Sequence, residues 1–164
     1  MSSVRQWLVG GAVVLGPTGL LLVRNRRRGG REDWSPPGGV IDAGETLIAG
    51  LTREVAEETG LAVSEWIGPL YRIETVAPGL GWHLRVEAHL AVAWEGEVVV
   101  ADPDGIVVDA RFVDPTRAGE HLVDCHPWVR EPLLEWLDER WPGSRSFAYR
   151  VEGHEPGATE VTRV

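Results

Sequence analysis

The chain has no lysine, a single cysteine and no uninterrupted apolar run long enough to cross a membrane. With Cys125 alone, an intramolecular disulfide is excluded, and a reducing, cytoplasmic setting is the expectation. All sixteen basic side chains are arginines against 25 acids, and the formal charge of −9 repels polyanions, so polymeric nucleic acid and anionic membrane are not expected partners. The most apolar stretch, Trp7 to Val23, falls short of the roughly 20 residues a spanning helix needs and is broken by Gly16-Pro17-Thr18-Gly19. Two β-rich segments about a Pro/Gly turn predict a hairpin instead, and no small-residue cleavage pattern precedes it.

What is present fits one folded domain, since 164 residues lie within the usual domain range of about 100–200. After the hairpin, an arginine-rich loop leads to Trp34-Ser35-Pro36-Pro37-Gly38-Gly39, which the prolines keep extended. From Thr46 to Thr59 apolar residues recur at Leu47, Leu51 and Val55, the spacing of a helix, with Gly60 placed to stop it. Strands are predicted around Leu61–Ala77, Trp82–Gly96 and Ile106–Asp114, and a second helix across His126–Trp141, although Pro132 obscures its start. Asp124 or Cys125 stands where that helix would be capped. The pattern predicts an α/β (α+β) fold, a central mixed sheet flanked by helices, over residues 1–141. Residues 142–164 read as a C-terminal tail carrying a last strand or an arm onto a partner.

Gly39-Val40-Ile41-Asp42-Ala43-Gly44-Glu45-Thr46 matches the phosphate-cradling pattern G-x-x-x-x-G-K-[ST] except that Glu45 replaces the lysine. A carboxylate there repels phosphate, so another device is needed. Glu54, Glu57 and Glu58 supply a candidate. Their i, i+3, i+4 spacing gathers three carboxylates on one face, read as opposite the apolar stripe, and near a helix C-terminus, where the dipole favours cations. A hard cation such as Mg²⁺, which prefers carboxylate oxygens and keeps sites for substrate phosphates, relieves both costs. The alternative is a solvated acidic face without function.

The segment from Gly39 to Leu61 reads G-x5-E-x7-R-E-V-x-E-E-x-G-L, with Gly39, Glu45, Arg53, Glu54, Val55, Glu57, Glu58, Gly60 and Leu61 in the fixed places. It resembles the Nudix box of the Nudix (MutT-like) hydrolases, whose α/β/α sandwich also suits the predicted elements. The resemblance implies Mg²⁺- or Mn²⁺-dependent hydrolysis of a nucleoside diphosphate linked to a further group X. Glu54, Glu57, Glu58 and the Gly39 carbonyl would be metal ligands, one glutamate would activate water, and Arg53 would orient a glutamate. Gly38 and Gly39 let backbone approach the metal, and Glu45 lies near the site or pins the loop. A general base from a later loop is also known in the family, for which Glu95, Glu97, Asp102 and Asp104 are candidates.

Trp34 or Trp82 would stack on a base, and Arg24, Arg26, Arg27, Arg28 and Arg31 lie where phosphates would be met. The histidines show no metal spacing and are read as structural. A nucleoside triphosphate, intact or oxidised, and ADP-ribose both remain as substrates, and a homodimer is compatible with the same reading. A catalytically silent nucleotide sensor is the alternative function.

Overall fold

The computed structural model describes residues 3–164; the first two residues of the domain expected over 1–141 lie outside it. The predicted hairpin forms from β1 (Arg5–Gly16) and β2 (Gly19–Arg26), turning at Pro17-Thr18 with Gly16 paired to Gly19. Gly19 has φ +137°, and a Cβ there would meet the Val113 carbonyl oxygen at 2.0 Å. Beyond Leu15↔Leu20 the two strands part company. β1 runs on in parallel with β6 (Trp82–Glu95), whereas β2 pairs with β3 (Glu32–Ser35) and β7 (Val107–Val113). The short β4 (Gly38–Val40) lies antiparallel to β1, setting Gly38 opposite Gly11 and Gly39 opposite Gly10.

The rest of the sheet is built from β5 (Ala62–Ala77), antiparallel to β6, then β8 (Arg145–Glu152), parallel to β5, and β9 (Glu160–Arg163). Thus the residues after Pro142, read from the sequence as a tail, contribute two strands to the central sheet.

Alternation along the strands separates two cores. Val13, Leu20 and Leu22 point into one with Trp128, Leu133 and Trp136, while Ala12, Val14, Leu21 and Val23 point into the other with Leu51 and Val55. The sheet is thereby sandwiched between α1 (Leu47–Thr59) on one side and α2 (Ala118–His121) with α3 (Pro127–Glu139) on the other. Gly10 makes the α1 contact close: a Cβ on it would stand 3.2 Å from Leu51 Cβ.

α1 begins as its sequence suggests. Thr46 caps it by accepting the Ala49 N–H at 3.1 Å, and Gly60, left-handed at φ +79°, ends it by donating to the Ala56 carbonyl. α3 starts differently from expectation. His126 holds the cap position without a side-chain bond, Pro127 fills the first turn, and Cys125 Sγ turns back to the Leu122 carbonyl. Pro132 lies buried within α3, where its ring packs in the core. None of the described helices is long and apolar enough to cross a membrane.

Candidate active site

The loop that mimics a phosphate cradle is held by carboxylates. Glu45 accepts the Asp42 N–H at 2.8 Å, and the Arg53 guanidinium grips both its oxygens, Nε to Oε2 and Nη2 to Oε1, each at 2.8 Å. The fork of charge-assisted bonds pulls Glu45 well below the usual carboxylate range, to about 2. Arg53 also donates to Glu54 (3.1 Å) and Glu57 (3.2 Å), and stands 3.3 Å from Asp42. One guanidinium therefore ties the loop to α1 and neutralises part of the acidic cluster; its own pKa rises, chiefly through Glu45.

Glu58 is placed differently. It is only 5% exposed, with Oε1 accepting the Gly38 N–H at 3.1 Å. The sequence reading set the glutamates opposite the apolar stripe; the structure corrects this for Glu58, which lies three residues beyond Val55 and seven beyond Leu51 and so shares their inward face. Burial pushes its pKa up to about 8, outweighing the Gly38 hydrogen bond, and Glu54, Asp102 and Glu57 push the same way. Burial likewise raises Glu54, against the pull of Arg53.

Gly39 completes the close approach. A Cβ on it would lie 2.6 Å from Glu54 Cδ, so a larger residue here has to push that carboxylate aside.

These groups share an open cleft of about 630 Å³ walled by the loop at 38–42, by α1 through Arg53, Glu54, Glu57 and Glu58, and by the segment 102–107. Asp102 and Asp104 reach it; Glu97 does not line it. The two aspartates differ. Both Asp102 oxygens are occupied by backbone, accepting from Asp104, Ile106 and Val107 at 3.2, 3.0 and 2.9 Å, whereas Asp104 is exposed and its charge acts on Glu54.

Of the arginines, Arg27 lines the cleft, held on Asp33 at 2.9 and 3.0 Å, while Arg26 and Arg28 lie outside its wall and Arg26 is 3.7 Å from Glu32. Trp34 is also away from the glutamates, flanked by the Arg111 and Arg24 guanidiniums (5.4 and 5.9 Å from its ring) and by the edge-on His121 ring. Trp82 stacks on Trp7 and meets Trp128 edge-on. Asn25 and Ser35, which the sequence reading did not single out, line the cleft as a bonded pair, Nδ2 to Oγ at 2.8 Å. Their only advance signal was a polar residue in the β-rich second arm of the hairpin.

The donor set facing the cleft is all oxygen, which suits a hard divalent cation. Buried Glu58, whose charged neighbours Glu54, Asp102 and Glu57 are all acidic and which no arginine touches, is the group most in need of one. Among the described residues no three such side chains already converge at ligand spacing, because Glu54 and Glu57 are turned toward Arg53.

The sequence model for the NUDIX domain matches residues 5–137. A Mycobacterium tuberculosis protein named "Putative 8-oxo-dGTP diphosphatase 2" is 32% identical over 126 residues, covering 67% of this chain and 86% of that protein. The crystal structure of the MutT protein from Bacillus halodurans superposes with a TM-score of 0.64 at 20% identity, over 94% of this chain and 97% of that one. That of an ADP compounds hydrolase gives 0.64 at 18%, over 82% and 74%. At these identities the two structures bear on the fold.

Proposed function

Because the chain belongs to the Nudix family and is a Nudix hydrolase acting on phosphoric anhydrides, we propose that it hydrolyses the pyrophosphate linkage of a small nucleoside diphosphate derivative with Mg²⁺ or Mn²⁺. A nucleoside triphosphate, intact or oxidised, is the first choice of substrate, in line with the name of the mycobacterial relative; an ADP-ribose-like compound is the second. The observation that carries the reading is the buried Glu58, fixed by the Gly38 N–H in a cleft it shares with Glu54 and Glu57.

Glu54, Glu57, Glu58 and the Gly39 carbonyl would hold the cation, which when bound polarises the phosphoryl oxygens and offsets their charge. The chain's own groups do the rest. Arg53 fixes the directions of Glu54 and Glu57, and its grip on Glu45 keeps the loop against α1. A carboxylate of this cluster takes a proton from the water that attacks phosphorus, while Asp104, unbonded on the facing segment, is the late-loop acid placed to assist. Asp102 shapes that segment through its three backbone bonds. The arrangement favours turnover over a silent sensor, since Glu54, Glu57 and Glu58 are all present and all line the cleft.

The test is release of phosphate or pyrophosphate from canonical and oxidised nucleoside triphosphates, ADP-ribose, nucleotide sugars and diadenosine polyphosphates, with Mg²⁺ or EDTA, in wild type and Glu57→Gln. Metal-dependent turnover of one group, lost in the variant, is expected. Nucleotide binding without turnover of any compound makes the protein a sensor.

A further inference from the structure

The cleft is a poor place for a polyanion. Asp42, Glu54, Glu57, Glu58, Asp102 and Asp104 line it, against two cationic side chains among the described residues, Arg53 and Arg27. Arg53 has nothing to spare: Nε and Nη2 are on Glu45, and Nη1 is shared by Glu54 and Glu57. A divalent ion offsets part of the acid, but a phosphate oxygen that the ion does not hold still needs a donor from the chain. Arg27 is the remaining cation.

The strand explains how Arg27 comes to face the cleft. Val23 packs in the α1 core, and Asn25 and Arg27, two and four residues on, keep to the same side. Arg24 and Arg26 alternate away and stand 3.5 and 3.7 Å from Glu32. Arg27 N–H donates to the Arg31 carbonyl at 2.7 Å, which carries the β2–β3 ladder one step further.

Across that ladder Asn25 is registered opposite Asp33. The Asp33 side chain is 4% exposed and takes the Arg27 guanidinium as a fork, Nε to Oδ2 at 2.9 Å and Nη2 to Oδ1 at 3.0 Å. Asn25 Nδ2 donates to the same Oδ1 at 3.1 Å and to Ser35 Oγ at 2.8 Å, so Asp33 is itself clamped. Burial pushes the Asp33 pKa up, but the bonds from Arg27 and Asn25 more than reverse this and hold it below the usual carboxylate range. The fork occupies one edge of the guanidinium. Nη1 donates to no group among the described residues, on a side chain that is 43% exposed.

A carboxylate this close weakens the pull of Arg27 on an anion, so on charge alone Asp33 is a hindrance. What it supplies is direction. A free arginine gives up its rotamer freedom when it binds, and one already held by a fork does not. Resting on the hydrolase reading above, we propose that Arg27 donates through Nη1 to a phosphate of the substrate, and that Asp33, clamped by Asn25, is the positioning residue that aims it.

The experiment measures kcat and KM with Mg²⁺ for the nucleotide turned over best, and calorimetric binding of α,β-methylene dGTP, a non-cleavable triphosphate. Wild type is compared with Arg27→Gln, which keeps one donor for Asp33, with Asp33→Asn and with the double variant, each checked for folding by thermal unfolding. Arg27→Gln should raise KM and the dissociation constant about 10–100-fold, the worth of a charge-assisted bond, with kcat changed far less. Asp33→Asn should raise both by about 3–10-fold although it makes the cleft more positive, and should add less than about twofold once Arg27 is gone, because it acts through Arg27. If Asp33→Asn does not fold, Arg27→Lys takes its place: it keeps a charge beside Asp33 without the fork, and its KM should fall between wild type and Arg27→Gln. An unchanged KM in Arg27→Gln, a wild-type KM in Arg27→Lys, tighter binding in Asp33→Asn, or an equal loss from Asp33→Asn with and without Arg27 would each overturn the assignment. Triphosphate binding that depends on Arg27 and Asp33, with no turnover of any compound, instead sinks the hydrolase reading and leaves this one standing.

Discussion

Removing the charge of Glu58 should stabilise the metal-free protein. Its pKa is raised from the ordinary 4.5 to about 8. Between those values the native state keeps a proton that the unfolded chain has released, so stability falls as pH rises through this window, and the loss is complete above about pH 8. One pKa unit is about 1.36 kcal/mol, so the arithmetic limit at pH 7 is roughly 3 kcal/mol. Local relaxation and water entry make about 1–3 kcal/mol the working expectation. Glu58→Gln retains an oxygen to accept the Gly38 N–H, so the variant removes charge with little loss of bonding. For a domain of this size each kcal/mol moves the melting temperature by about 2–4 °C. Thermal unfolding in EDTA should therefore show the variant melting several degrees above wild type at pH 8.5, with the gap closing at pH 5. No gain at pH 8.5, or a gain that grows on acidification, would refute the assignment of burial as the cause.

Saturating Mg²⁺ should reverse that order, raising wild type by about 2.7 kcal/mol at a hundred times the dissociation constant and leaving Glu58→Gln nearly unmoved in the same thermal assay. Gly39→Ala should displace the Glu54 carboxylate, since its Cβ would arrive 2.6 Å from Cδ; kcat should fall at least tenfold while nucleotide binding persists. Arg53→Lys cannot reproduce the fork on Glu45, and a loss of about 10–100-fold in activity is expected from steady-state kinetics with the fold retained by circular dichroism. Gly10→Ala pushes on Leu51 and should cost about 1–3 kcal/mol in denaturant unfolding.

Local chemistry was legible in the sequence and remote pairing was not. Thr46 and Gly60 bound α1 because caps are written in adjacent residues, and the Gly16/Gly19 turn was visible for the same reason. The parting of β1 from β2 was hidden, since it depends on β6 and β7, whose sequences lie some seventy to ninety residues on. A last strand near Phe147 was one of the two readings of the tail, but its place was hidden likewise: nothing near Phe147 names Ile73 as its neighbour in the sheet. Among the arginines, Arg27 lines the cleft while Arg26 and Arg28 do not, a distinction that a run of identical residues does not carry. Glu58 was assigned an outward direction because its charge was weighed above its spacing from Val55; burial shows that spacing won.

The two cores have a consequence for how such a protein can change. β1 and β2 send alternate side chains to opposite layers, so substitutions in α3 or on the α3-facing residues of β5 and β6 reach one core without touching the packing that holds α1. The acidic motif answers to one layer, and an apolar pocket of about 190 Å³ lined by Leu84, Val86, Trp128 and Val129 answers to the other. Arg27, Ser35, Gly38 and Gly39 line both, and at the two glycines an added side chain would meet the Gly10 carbonyl oxygen on one flank or the Glu54 carboxylate on the other. Side chains on the α3 layer can therefore change the shape of that apolar pocket while the carboxylates on α1 stay where they are.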